Sequence, residues 1–228
     1  MSSKPIVLFG TGKIAEVIHH FMMHEAGIVV AGFTVDEAFV GDGKKEGLPV
    51  VAFDKVEQQF PPDKFDLFVA LGYHDMNALR AKKMAEAKAK GYALPAFIHP
   101  QSGTPKGTPV GENSFIMRDV HIHPKVTIGA DVFVWSGAII GHHTTIGDHG
   151  WITSGANIAG ACTIGEHCFL AINSTVGHGV RIRRRCFIGA NALVTKDMAD
   201  DQVIIAPSDK PIRLNTDQFL RMSAFSSI

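Results

Sequence analysis

The chain has 228 residues, with 22 Lys plus Arg against 22 Asp plus Glu and only three Cys. That length suits two small domains, and the balanced charge excludes recruitment of nucleic acid or of an anionic membrane surface as a main activity. No apolar stretch approaches bilayer-spanning length, and Met1 to Gly10 is a short run with one Lys and no cleavage site, so a cytoplasmic protein is expected.

In the first hundred residues, the strand-like apolar runs Ile6 to Phe9, Ile28 to Phe33 and Leu67 to Leu71 are separated by helix-like stretches, which predicts an α/β domain. Gly10, Thr11, Gly12 and Lys13 follow the first strand and open a helix. Backbone N–H groups and the positive helix end would then meet at a place suited to a diphosphate. Close strand-to-helix packing explains the same glycines equally well. Asp36 lies just past the second strand, where an acid can bind a ribose hydroxyl, so this half taken alone reads as an NAD oxidoreductase. Further on, Asp75 is placed to cap a helix running to about Gly91, with Leu79 and Met84 available for packing. Ala93 to Ile98 reads as a last strand, and His99-Pro100 with Gly103, Pro105, Gly107 and Pro109 as a linker, which sets the first domain at residues 1–99.

From Val110 to Val194 every sixth residue is aliphatic, fifteen in unbroken register. A period of six fits neither an isolated amphipathic helix nor an alternating strand; it fits a chain that turns a corner after each short strand, three corners to a coil. Residues eighteen apart then stack, and the aliphatic column fills a core that no single coil could bury. This predicts a parallel β-helix over residues 100–206. Gly follows the aliphatic at 111, 129, 141, 147, 165, 177 and 189, which is read as supplying the positive φ of a tight turn. Four residues after each aliphatic the side chains are mostly small, among them Ala138, Thr144, Gly150, Ala156 and Ser174, and they form a second inward row. Cys162, Cys168 and Cys186 belong to that row, so packing explains them better than disulfide or metal chemistry. The tail, residues 207–228, lacks the register; with Thr216 as a helix cap it is expected to seal the last coil.

Three stretches bear on function: Phe33-Thr34-Val35-Asp36-Glu37, Gly72-Tyr73-His74-Asp75-Met76-Asn77, and Gly141-His142-His143-Thr144-Thr145-Ile146-Gly147-Asp148. With them, an α/β domain followed by hexapeptide repeats resembles the bacterial nucleotide-sugar acyltransferases of surface-glycan synthesis, such as that of O-antigen or capsule. The resemblance covers nearly the whole chain. It implies a Rossmann-like first domain, a left-handed β-helix, and transfer of acetyl from acetyl-CoA to the amine of a nucleotide-linked amino-dideoxy sugar, with no metal or redox cofactor. It also implies a homotrimer with active sites between subunits. Some members are sugar O-acyltransferases, which leaves the acceptor atom open.

Within that resemblance, His142 matches the catalytic base, and Gly160, one coil above it, matches the position whose N–H meets the acetyl carbonyl. The best-understood relatives place a carboxylate beside the catalytic His; here His143 stands in that place, and a turn residue and a functional one are equally good readings of it. Ile172, Asn173 and Ala190 are CoA contacts by resemblance. Arg183 and Arg184, in a basic run with Arg181 and Arg185, suit a phosphate of CoA, though a solvated corner explains them equally. Gly10, Thr11, Gly12, Lys13, Asp36, Gly72 and Tyr73 would hold the nucleotide sugar. His149, His167 and His178 are expected to be mainly surface residues. Twelve His also raise a zinc lyase resembling the γ-type carbonic anhydrases, but the two ligands five residues apart that such a site needs are absent from the repeats.

Overall fold

A computed structural model describes residues 4–208 and 210–222; residues 1–3 and 223–228, the outer ends of the first domain and of the tail, lie outside it. The chain opens with β1 (Ile6–Phe9), α1 (Lys13–His20), β2 (Val30–Val35), β3 (Lys44–Lys45), β4 (Leu48–Ala52), α2 (Val56–Gln59), β5 (Asp66–Val69) and α3 (Ala78–Ala89). These strands form one mixed sheet in the order β3-β4-β2-β1-β5, parallel throughout except for β3. The three expected strands are present within a few residues, whereas β4 was not foreseen, its run being broken by Pro49.

The sheet has two differently covered faces. Val7, Phe9, Leu67 and Val69 pack with Phe53, Phe60 and the α3 residues Met84 and Ala87. Ile6, Leu8, Phe68 and Ala70 share a core with α1 and with the repeats themselves. Phe68 lies 5.8 Å from Phe133, ring to ring, so the two halves meet through a continuous apolar seam.

The repeats build a prism of three parallel sheets, consistent with a left-handed β-helix. The first face runs from β6 (Phe97–Ile98) through Phe115–Ile116, Phe133–Val134, Trp151–Ile152, Phe169–Leu170 and Phe187–Ile188 to Val203–Ile204. The second runs from His121–Ile122 to Leu193–Val194, and the third from Thr127–Ile128 to Arg181–Ile182. Both inward rows are buried as expected, from Ile116 to Val194 in the aliphatic row and from Val126 to Ala192 in the small one. Each fully buried Ile, Leu or Val contributes roughly 1.5–3 kcal/mol, and none would be covered without the coils above and below. All three Cys are free and buried, and burial pushes the Cys168 thiol up to about 12, which leaves it inert.

The corners differ from expectation. None of the seven glycines that follow an aliphatic has a positive φ. They are needed for space: a Cβ on Gly111, Gly141 or Gly165 would lie 2.4, 2.5 or 2.6 Å from the backbone of the next coil. The left-handed residue sits instead three places after each aliphatic, unbroken from Asn113 (φ 54°) to Asn191 (φ 57°). Asn, Asp, His and Gly fill most of these positions, the residues that adopt this conformation most readily.

The expected strand over 93–98 shortens to β6, which joins the first face of the prism by pairing with Phe115–Ile116. The expected linker is an irregular first coil, bridging to later coils at Gly103 with His121 and at Val110 with Ile128. At the other end, α4 (Thr216–Met222) buries none of its residues, so in the single chain it does not cover the last coil. Among the described residues no helix is long and apolar enough to cross a membrane.

Candidate active site

His142 and His143 lie on the vertex between the second and third faces, where the chain leaves Ile139–Ile140 for Thr145–Ile146. Both side chains are exposed, and their Nδ1 atoms are 3.1 Å apart, so one ring donates to the other. His143 has φ 59° and is therefore the left-handed corner of its coil as well as the neighbour of His142. The His142 ring lies against Gly160 of the next coil: a Cβ there would sit 2.6 Å from Cε1 and 2.7 Å from Nε2. Glycine at 160 thus makes room for the imidazole, and its N–H donates to no group among the described residues. His178, two coils above His142, is exposed as expected, and its ring lies 6.2 Å from that of His142 on the same vertex. This arrangement can take a proton at an accessible imidazole and present an unused backbone donor beside it.

The other expected residues lie elsewhere on the prism. Ile172, Asn173 and Ala190 are exposed on the vertex between the first and second faces. Arg183 and Arg184 are on the third vertex, and Arg184 is engaged with Glu166 at 3.3 Å. Within one chain these groups are not brought to His142.

In the α/β domain, the loop Gly10 to Lys13 and Asp36 both follow the carboxyl ends of strands, the place where open parallel sheets bind ligands. Gly10 is packed tightly: its φ is 122°, and a Cβ would meet the Ala70 carbonyl at 2.9 Å. Gly12 is open and caps α1 through its backbone alone. Asp36 pairs with Lys83 Nζ at 2.6 Å, and Lys83 also reaches Glu86 at 2.9 Å. Burial works against the charge on Lys83, yet the two carboxylates hold its pKa above the ordinary value, so it stays an ammonium. These three residues line a cleft of about 590 Å³ floored by Phe53, which the Gly10 to Lys13 loop does not enter.

The segment after β5 departs most from expectation. Asp75 does not cap α3; it precedes the actual N-cap, Asn77, and Asp75, Met76 and Asn77 take φ of 46°, 48° and 70° in succession. Of the two residues expected to pack, Met84 is buried and Leu79 is exposed, whereas Arg80 beside it is fully buried. Its guanidinium bonds Asp131 Oδ1 at 2.7 Å, the Asp131 carbonyl at 2.9 Å and Asn77 Oδ1 at 3.0 Å, and lies 4.2 Å over the Phe133 ring. Burial pulls its pKa down and Asp131 opposes that shift, so the guanidinium stays charged. Asp131 also holds His149 Nδ1 at 2.9 Å, and His149 stacks on His167 at 4.7 Å. These two histidines are therefore part of the contact between the halves and are not surface residues. A sequence signal for this contact exists: Phe97, Phe115, Phe133, Trp151, Phe169 and Phe187 recur every eighteen residues on one outward row, which marks that face as covered.

Among the described residues no three His, Cys, Asp or Glu side chains gather in a way that could hold a metal ion. Residues 108–142 and 161–196 match the family described as bacterial transferase hexapeptide, with six repeats. Those segments accordingly carry bacterial transferase hexapeptide repeats, and the chain as a whole is similar to bacterial sugar N-acetyltransferases. One is PerB of Caulobacter crescentus, solved with CoA and GDP-perosamine: 27% identity over 90% of this chain and 95% of that one, TM-score 0.80. A histidine-to-asparagine variant of perosamine N-acetyltransferase from the same organism, with the same two ligands, matches at 26% identity, TM-score 0.74 and the same coverage. The acetyltransferase domain of PglB from Neisseria gonorrhoeae FA1090, at 23% identity over 92% of this chain and all of that one, shares the fold with a TM-score of 0.80. No curated protein matches the sequence.

Proposed function

We propose that the protein is an acetyl-CoA-dependent N-acetyltransferase acting on the amino group of a nucleotide-linked amino-dideoxy sugar of surface-glycan synthesis. The observation that carries this reading is the imidazole of His142 laid over Gly160, with His143 Nδ1 at 3.1 Å from its own Nδ1. With His143 accepting from Nδ1–H, His142 keeps its lone pair on Nε2. The sugar amine attacks the thioester carbon, His142 Nε2 takes the proton the amine gives up, and the Gly160 N–H stabilises the oxyanion. Collapse breaks the carbon–sulfur bond, and the imidazolium returns its proton to the departing thiolate. Base catalysis of this kind is worth roughly 10²- to 10⁴-fold. His143 is thus the orienting partner of the base as well as a turn residue.

Residues 1–99 serve in this reading as a Rossmann-like domain for the nucleotide sugar, supported by the parallel order β4-β2-β1-β5 and by the loop and acid at the strand ends. Gly10, Thr11, Gly12, Lys13, Asp36, Gly72 and Tyr73 are its contacts. Residues 100–206 form a left-handed β-helix that carries out acyl transfer, and residues 207–228 are a tail.

A homotrimer is part of this reading, and the layout supports sites shared between subunits. The α/β domain covers the first face, and His142 stands on the vertex opposite that face, so the sugar it acylates is held by a neighbouring subunit. Ile172, Asn173, Ala190, Arg183 and Arg184 lie on the other two vertices and would likewise reach CoA only across a subunit boundary. Both substrates are cytoplasmic metabolites, which makes the cytoplasm the proposed location.

Release of CoA thiol from acetyl-CoA, measured with UDP-, dTDP- and GDP-linked 3- and 4-amino sugars and their hydroxyl counterparts, tests the reading. Turnover restricted to an amino sugar is expected. Turnover only with hydroxyl sugars would move the assignment to a sugar O-acyltransferase, and silence throughout would remove it.

A further inference from the structure

The left-handed corner residues on the vertex beside the α/β domain do more than turn the chain. Asn113, Asp131, His149, His167 and Arg185 occur one per coil, with φ between 54° and 58°. Each engages the first domain or its neighbour in the column. Asn113 accepts from the Val69 N–H at 2.7 Å and donates to Asp131 at 2.7 Å; Asp131 holds Arg80 and His149. His167 Nδ1 lies 3.0 Å from the Met76 carbonyl, and Arg185 Nη2 lies 3.8 Å from Asp75. Because a carbonyl only accepts, His167 is the donor, and burial lowers its pKa, which keeps the ring neutral with the proton on Nδ1.

The segment so gripped is the one with three consecutive left-handed residues, Asp75, Met76 and Asn77, none of them glycine. Each such residue is unfavourable unless its surroundings over-determine it. Here the surroundings are the prism: Tyr73 sets its ring edge on Trp151 and Phe169 at 5.3 and 4.8 Å, His167 holds Met76, and Arg80 holds Asn77. The same segment continues from the wall of the Gly10 to Lys13 loop. Ala70 N–H donates to the Phe9 carbonyl at 2.8 Å, Gly10 has room only for hydrogen against Ala70, and Gly72 faces Ile14.

We infer that His167 is a positioning residue for the nucleotide sugar: by holding the Met76 carbonyl it fixes the left-handed Asp75–Asn77 turn, and with it the wall of the phosphate-side loop. The β-helix thereby sets the binding edge of the domain that precedes it. This inference rests on the proposed role of the first domain in holding the nucleotide.

Two substitutions isolate the donor. His167→Gly keeps the left-handed corner and loses the N–H, whereas His167→Asn keeps both, since its amide nitrogen stands where Nδ1 does. Titration calorimetry with GDP, UDP and dTDP on the full chain is the measurement, with acetyl-CoA as control. Wild type is expected to bind at least one nucleotide. His167→Gly should weaken that binding about five- to tenfold, the range set by the loss of one hydrogen bond, and His167→Asn should restore it to within about twofold. Acetyl-CoA binding should not change in either variant. Equal nucleotide affinity in wild type and His167→Gly overturns the inference, and so does a parallel loss of acetyl-CoA binding. Failure of wild type to bind any of the three overturns instead the nucleotide reading on which it stands. If His167→Gly does not fold, Arg185→Asn, which keeps its corner and removes the Asp75 contact together with the ion pair to Asp201, should move the same constant in the same direction by about twofold; no change there overturns the inference.

Discussion

His143 and His167 occupy the same place in their repeats, three residues after the aliphatic, with φ of 59° and 57°, and yet their surroundings are opposite. On the vertex remote from the α/β domain, His143 and its neighbour His142 are exposed and contact each other. On the vertex beside that domain, His149 and His167 are stacked, half-buried and committed to Asp131 and to the Met76 carbonyl. One backbone device, repeated every six residues, therefore produces an exposed imidazole edge where nothing covers it and a structural pin where a domain does. The role of a corner histidine is set by what packs on its vertex.

The largest effect expected from breaking this contrast is on the covered vertex. Asp131→Ala leaves the fully buried Arg80 without its carboxylate and His149 without its partner. Removing one member of a buried pair costs about 3–5 kcal/mol, so the denaturation midpoint should fall sharply while m stays constant. A shift as small as that of a surface substitution would mean that water or another group takes over the guanidinium. The exposed vertex should answer in the other way. His142→Ala is expected to lower turnover at least about a hundredfold with the melting temperature and the assembly unchanged, and near-normal rates would remove His142 as the base.

Gly160→Ala sharpens the point, because the conflict it creates is with a side chain. The added Cβ would sit 2.6 Å from the His142 ring, which is exposed and can rotate away, so the fold should tolerate it. Turnover should drop about tenfold or more as the imidazole leaves its position over the backbone donor. Gly141→Ala makes the control, since its Cβ would meet the backbone of the next coil at 2.5 Å and should cost stability instead.

The sequence period carried the prism almost completely, since a buried column needs the same residue class at the same place in every coil and so writes itself into the chain. The corners were legible in position but misattributed: glycines chosen for close approach of coils were read as glycines chosen for positive φ. The left-handed row at Asn113, Asp119, Asp131, His143 and onward was available in the composition of that column. His142 was legible through resemblance, and its contact with Gly160 through the eighteen-residue stacking. Arg80 was not, because a helix rich in Ala and Lys gives no sign that one of its cations turns inward; only its partner on another domain makes that burial tolerable. Asp75 was misplaced for a related reason, as the turn it belongs to is held by the prism and not by local preference.

The smallest expected effect is the pH response of the covered vertex. Burial lowers the pKa of His167 from its ordinary value of 6.5, and His19 in the α/β core is lowered for the same reason. An unfolded chain therefore takes up protons at these sites before the folded one does, so stability is fully present above about pH 6.5 and declines as pH falls toward the folded values. Thermal midpoints measured from pH 7.5 to pH 5 should drift downward over that window. His167→Asn should flatten part of the drift, because the substitute keeps the bond to Met76 without a titrating group. If the curve of His167→Asn instead overlays that of the wild type, His167 does not contribute to the drift, and the covered vertex does not shift the titration of its histidine.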